Sequence, residues 1–149
     1  MPKIAAIDVG SNAIRLLIIT FNRYGIETNE QFIRYPLRLG ADVFAKQTIT
    51  TATKAKLLNV FQSIARELTE AKVTNYRAVA TSAMRDAKNG SAIIKTILKE
   101  TDIQCEIISG REESILSKRA LLQAAGYVPA STLLVDLGGG SLELQNANQ

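Results

Sequence analysis

The chain has 149 residues, about one domain, with 46% hydrophobic and 21% charged residues, an ordinary composition for a globular protein with a single core. Histidine is absent, so acid–base chemistry falls to carboxylates and any metal to a hard cation on oxygen ligands; His bases, Ser-His-Asp triads and phosphohistidine are excluded. The net charge of +4 suits a polyanionic partner, while 5% aromatic residues without a basic-aromatic patch argue against specific nucleic-acid binding.

The single cysteine, Cys105, excludes a disulfide framework and a zinc site, and its place in an alternating run predicts a buried structural thiol. No apolar run approaches the ~20 residues that span a bilayer. Met1-Pro2-Lys3 leads straight into a strand pattern without a signal-peptide core. A cytoplasmic protein with no membrane partner is expected.

From the N-terminus, Lys3 to Phe21 reads as strand, turn and strand, and Ile26 to Tyr35 as a third strand. The polar alternation of Glu27, Asn29 and Gln31 suggests an exposed face or a sheet edge, and Pro36 ends the strand. Leu37 to Ile49 reads as a loop around Gly40. Thr50 or Thr51 caps a helix to about Lys72, with Leu57, Phe61, Ile64, Ala65 and Leu68 at helical spacing. A strand at Arg77 to Thr81 runs into a helical turn at Ala83 to Lys88, broken by Asn89-Gly90. A helix from Ser91 to Lys99 precedes a strand at Gln104 to Ile108. Ser109 to Ala125 reads as a long helix, stopped by Gly126 and Pro129. Tyr127 to Ser131 is the candidate linker, and a second hairpin starts at Thr132.

Two of the turns are alike. Ile7-Asp8-Val9-Gly10-Ser11-Asn12 and Val135-Asp136-Leu137-Gly138-Gly139-Gly140-Ser141 each follow an apolar strand that ends in Asp. A Gly-rich hairpin tip exposes backbone N–H groups that can hold phosphate oxygens, and the Asp can hold a hydrated Mg²⁺ beside them. Asp-Gly and Gly-Gly turns also occur in hairpins without ligands. The repetition is what favours a two-sided phosphate clamp.

Two interior segments also offer both readings. In Ser109-Gly110-Arg111-Glu112-Glu113, the Ser-x-x-Glu spacing makes Ser109 and Glu112 a capping box. Glu113, about 100° further round the helix, is free of that role and can project into a cleft to orient a water. In Ala80-Thr81-Ser82-Ala83-Met84-Arg85-Asp86-Ala87, hydroxyls and Arg85 stand where a phosphate would be neutralised. A plain cap with a solvated Arg accounts for the same residues.

Together these four segments resemble the exopolyphosphatase and guanosine pentaphosphate phosphatase family in order and spacing, over nearly the whole chain. The resemblance implies an α/β fold: a ribonuclease-H-like domain of the acetate and sugar kinase/Hsp70/actin superfamily, a mixed sheet flanked by helices. It implies Mg²⁺-dependent release of terminal phosphate from polyphosphate or pppGpp. It makes Glu113 the catalytic carboxylate that places water, and assigns Asp8, Asp136 and Glu143 to the metal. Gly10, Ser11, Asn12, Arg85, Gly138, Gly139, Gly140 and Ser141 become phosphate contacts. Ala13 and Leu142 stand where the family often has Ser and Thr, and Ser114 where Ala is frequent.

The family continues into a second domain. Residues 1–126 are accordingly expected to be the N-terminal domain, 127–131 a linker, and 132–149 the first hairpin of a truncated second domain with the C-terminal body missing. Such a hairpin can lie against its own domain, stay mobile, or pair with a second copy into a homodimer. Two other functions stay open: a sugar kinase or actin-type ATPase domain, and a polyphosphate- or pppGpp-binding unit without turnover.

Overall fold

The computed structural model describes residues 1–129 and 131–147. Alternation of apolar residues builds the first hairpin: β1 (Lys3–Val9) pairs antiparallel with β2 (Ala13–Phe21), Asp8 opposite Arg15. β2 pairs antiparallel with β3 (Glu27–Pro36), the edge strand; Pro36 closes it opposite Ala13, as an edge permits. Two helices, α1 (Leu39–Lys46) and α2 (Thr51–Glu70), lead to β4 (Asn75–Ala80), which lies parallel to β1. After α3 (Ser82–Asp86) and α4 (Gly90–Thr101), β5 (Cys105–Ile107) adds parallel to β4. The five strands form one mixed sheet in the order β3-β2-β1-β4-β5, the single sheet expected from the sequence.

One face of this sheet carries the core. Ala5, Ile7 and Val9 of β1 and Ile14, Leu16 and Ile18 of β2 are buried with Leu57, Phe61 and Ile64 of α2 and Ile93 and Ile97 of α4. Each large side chain so buried contributes about 1.5–3 kcal/mol relative to exposure. Thr50 caps α2, accepting from the Thr53 N–H at 3.3 Å. Gly90 begins α4 because a Cβ there would run into the Met84 carbonyl. Cys105 is buried in the core, and burial pushes its thiol up to about 12.

The segment Leu37 to Ile49, expected as a loop, holds the eight-residue α1. Leu39 and Val43 are buried one helical turn apart, and the Gly40 N–H donates to the Ser11 carbonyl at 2.9 Å. Tertiary contacts make this helix, since Arg38 at its start supplies no side-chain cap.

α5 (Gly110–Ala125) buries none of its residues. Ser109 caps it, accepting from the Glu112 N–H at 3.2 Å, and Gly126 ends it at φ 69°. After α5, residues 126–129 and 131–132 are neither helix nor strand; residue 130 of the expected linker lies outside the described residues. β6 (Leu133–Leu137) and β7 (Leu142–Asn146) form a separate two-stranded sheet, and residues 148–149 of the expected second domain also lie outside the described residues. The hairpin touches α5. It leans on its own domain: Gln145 Nε2 donates to the Ser114 carbonyl of α5 at 2.8 Å, and Lys118 Nζ to the Asn146 carbonyl at 2.8 Å. No helix of the described residues is long and apolar enough to cross a membrane.

Candidate active site

The second face of the five-stranded sheet, α5 and the β6–β7 hairpin enclose a cleft of about 730 Å³. Strand alternation decides which residues reach it. With Ala5, Ile7 and Val9 turned to the core, Ala6 and Asp8 must face the other way, and the register carries Arg15, Arg34 and Val79 to the same face.

The β1–β2 turn forms the floor. The Gly10 N–H donates to the Ala13 carbonyl at 3.0 Å, closing the turn, and Gly10, Ser11 and Asn12 line the cleft. Ser11 is buried, its hydroxyl 2.9 Å from that of Ser82 at the start of α3. This bond ties the first turn to the segment after β4. It gives Ser82 a place in the cleft wall that its sequence context, a helix start rich in hydroxyls, did not separate from simple capping.

The second turn closes over the first. A Cβ at Gly139 would collide with the Asn12 side chain. One at Gly140 would strike the Phe44 ring and come within 2.9 Å of Ser11 Oγ. Two glycines without side chains let the hairpin tip seat on the first turn and on α1. Gly138, Gly139 and Ser141 line the cleft with Asp136 and Glu143, whereas Gly140 packs against Ser11 and Phe44.

The third wall is the first turn of α5. Glu113 lines the cleft with its side chain 14% exposed, and its Oε2 accepts from Arg85 Nη1 at 3.0 Å. Arg85 Nη1 also donates to the Ile108 carbonyl at 3.1 Å. Arg85 therefore stands behind Glu113, bracing it, and is absent from the cleft-lining set. Glu112 departs from the expected capping box. Ser109 does cap its N–H, but its carboxylate accepts from Arg77 Nη2 at 2.5 Å, and Arg77 Nε also donates to Glu106 at 2.8 Å. These two carboxylates raise the Arg77 guanidinium pKa, and the trio fastens α5 to β4 and β5.

Charge in the cleft is divided. Asp8 accepts from Arg15 Nη1 at 2.5 Å. On the hairpin, Asp136 and Glu143 are directly opposite each other and both line the cleft. Two carboxylates so placed repel unless a cation lies between or near them. No group of three or more metal-ligating side chains gathers among the described residues. The donor set thus fits a cation that takes one or two carboxylates and completes its shell with water and phosphate oxygens, the habit of Mg²⁺. Arg15 and Arg34 are cleft residues that the sequence reading did not single out; strand register was the signal that places them.

A model of the Ppx/GppA phosphatase family matches residues 33–149. Over 144 residues, 97% of the chain, the sequence is 31% identical to Exopolyphosphatase 1 of Mycobacterium tuberculosis (strain ATCC 25618 / H37Rv), of which it covers 42%. An exopolyphosphatase from Cytophaga hutchinsonii ATCC 33406 superposes with a TM-score of 0.85 at 29% identity, covering 99% of this chain and 47% of that one. The Aquifex aeolicus member of the Ppx/GppA family gives 0.83 at 25% identity, covering 99% and 48%. The chain spans less than half the length of these relatives. Its fold is the actin-like one that they share.

Proposed function

The chain belongs to the Ppx/GppA phosphatase family, and we propose that its cleft is one half of an active site that releases terminal phosphate from inorganic polyphosphate. The observation that carries this reading is convergence: Asp8, Glu113, Asp136 and Glu143, from three separate segments, line one cleft floored by two Gly-rich turns. Phosphoryl transfer asks mainly for positioning and charge neutralisation, and these groups offer both.

In this mechanism the two turns present to the terminal phosphate the Ser141 hydroxyl and the N–H groups that do not close the turns themselves, as those of Gly10 and Gly138 do. Glu113 orients the attacking water: its Oε2 is engaged by Arg85, leaving Oε1 to accept the water proton. The water oxygen bonds to phosphorus as the bridging P–O bond breaks, and a chain shorter by one phosphate leaves. Of Asp8, Asp136 and Glu143, the opposed pair Asp136 and Glu143 would hold Mg²⁺ directly and Asp8, tied to Arg15, would face it through water; when bound it would neutralise charge on the phosphate oxygens. Arg85 positions Glu113 in this scheme rather than meeting phosphate. The hairpin serves as the lip of a second domain, whose body would cover Leu133, Val135, Leu137, Leu142 and Leu144, all exposed.

The relatives named as exopolyphosphatases favour polyphosphate. A pppGpp substrate presents the same terminal phosphoanhydride and is proposed as the second substrate. The test is phosphate release from each, with Mg²⁺ and no acceptor sugar, by the chain extended to the length of its relatives. Release without acceptor supports the hydrolase reading. Phosphate transfer that requires an acceptor would show a kinase of the same fold. Binding without release would leave a polyphosphate-binding unit.

A further inference from the structure

Among the described residues two guanidiniums line the cleft, Arg15 and Arg34, and only the first is held by a carboxylate of the wall. Arg34 lies on β3 directly opposite Arg15 of β2, both on the cleft side of the sheet. Arg15 is tied to Asp8. The Arg34 side chain has no ion pair or hydrogen-bond partner among the described residues. An exposed Arg on an edge strand ordinarily solvates a surface. Asp8 balances Arg15, however, whereas the Arg34 guanidinium beside them in the same cleft wall has no counter-charge among the described residues.

The sheet also gives this pair a direction. Asp8, Arg15 and Arg34 are consecutive partners across β1, β2 and β3, so they form a row leading from the first phosphate turn to the sheet edge. Strands lie about 4.8 Å apart, which puts Arg34 about 10 Å from β1 along that row. A single phosphate held at the Asp8 to Asn12 turn does not reach so far, whereas several linked phosphates do.

We propose that Arg34 is a second anion-binding point of the cleft, taking the phosphates behind the terminal one and so selecting a linear polyphosphate over a single phosphate. This rests on the phosphatase reading for the position of the terminal phosphate. A planar guanidinium makes paired, charge-assisted hydrogen bonds to phosphate oxygens, and a lysine at the same place supplies charge without the fork.

The experiment is calorimetric titration of the purified chain and its Arg34→Gln and Arg34→Lys variants with orthophosphate and with tripolyphosphate, at fixed Mg²⁺ and low salt. Arg34→Gln should weaken tripolyphosphate binding about ten-fold, the scale of one lost charge-assisted contact, and leave orthophosphate binding unchanged. Arg34→Lys should recover part of the loss. The melting temperature of the unliganded Gln variant should be no lower than that of the parent, because the Arg34 side chain makes no ion pair or hydrogen bond among the described residues. Equal weakening for both anions, or undiminished tripolyphosphate binding, would overturn the proposal. A parent chain that binds neither anion would instead bring down the cleft assignment, and this proposal with it.

Discussion

Neighbouring carboxylates on α5 illustrate how one residue step separates two roles. Glu113 is largely enclosed beside Arg85 in the cleft wall, while Glu112 meets Arg77 outside it. Glu112→Gln, in the chain extended to its relatives' length, should therefore keep turnover within about three-fold, since an exposed ion pair contributes little. A loss comparable to that of a catalytic group, read in a phosphate-release assay, would reverse the assignment. Asp42 gives a second prediction at this scale. Hydrogen bonds from the Thr53 and Thr50 side chains, and from the Thr50 N–H, hold its carboxyl at about 2, below its ordinary value. A depressed pKa stabilises the fold above the unfolded value near 3.8, and that contribution disappears as pH falls through about 2. Asp42→Asn should cost about 1 kcal/mol at neutral pH and flatten the loss of stability across this acid window, as followed by denaturant unfolding at each pH. The place of Glu113 in the cleft wall was legible because it lies about 100° round the helix from Glu112, although Glu112 is set aside by Arg77 and not by the capping box expected of it. Arg34 was not, because its importance comes from a partner on another strand, and that pairing depends on register.

Among the elements, the long strands and amphipathic helices were legible because their apolar spacing is local. The run Leu57, Phe61, Ile64 and Leu68 fixes the buried stripe of α2, and Ser109 and Gly126 mark the ends of α5. α1 was illegible for the opposite reason. It is eight residues long, lacks a side-chain N-cap and contains a glycine, so it depends on burial of Leu39 and Val43 and on the link from Asp42 to Thr50. That helix also carries Phe44, against which the hairpin tip rests. Gly140→Ala should consequently lift the tip from the first turn while leaving the main core intact. The expected outcome is weaker phosphate binding by about ten-fold or more with an unchanged melting temperature. Binding equal to the parent's would show that close seating of the two turns is dispensable.

At the scale of the whole molecule, one face of a mixed sheet is packed by helices and the other is left as a cleft wall. The hairpin that completes the cleft is a two-stranded sheet of its own, resting on α5 and the first turn. A two-stranded unit is marginal by itself, and phosphoryl transfer depends on water, cation and phosphorus being held together. The 149 residues alone should therefore bind phosphate weakly and hydrolyse polyphosphate with Mg²⁺ far below about 1 s⁻¹, the low end of ordinary turnover. Turnover near that value would show that these residues suffice. Hydrolysis of phosphoanhydrides in this cleft through a water placed by Glu113 stands or falls on one comparison. It is Mg²⁺-dependent phosphate release from polyphosphate by the chain extended to the length of its relatives, against its Glu113→Gln variant. The variant should lose about 10²-fold or more in kcat with polyphosphate binding and melting temperature retained; phosphate release as fast as the parent's would show that Glu113 does not place the water.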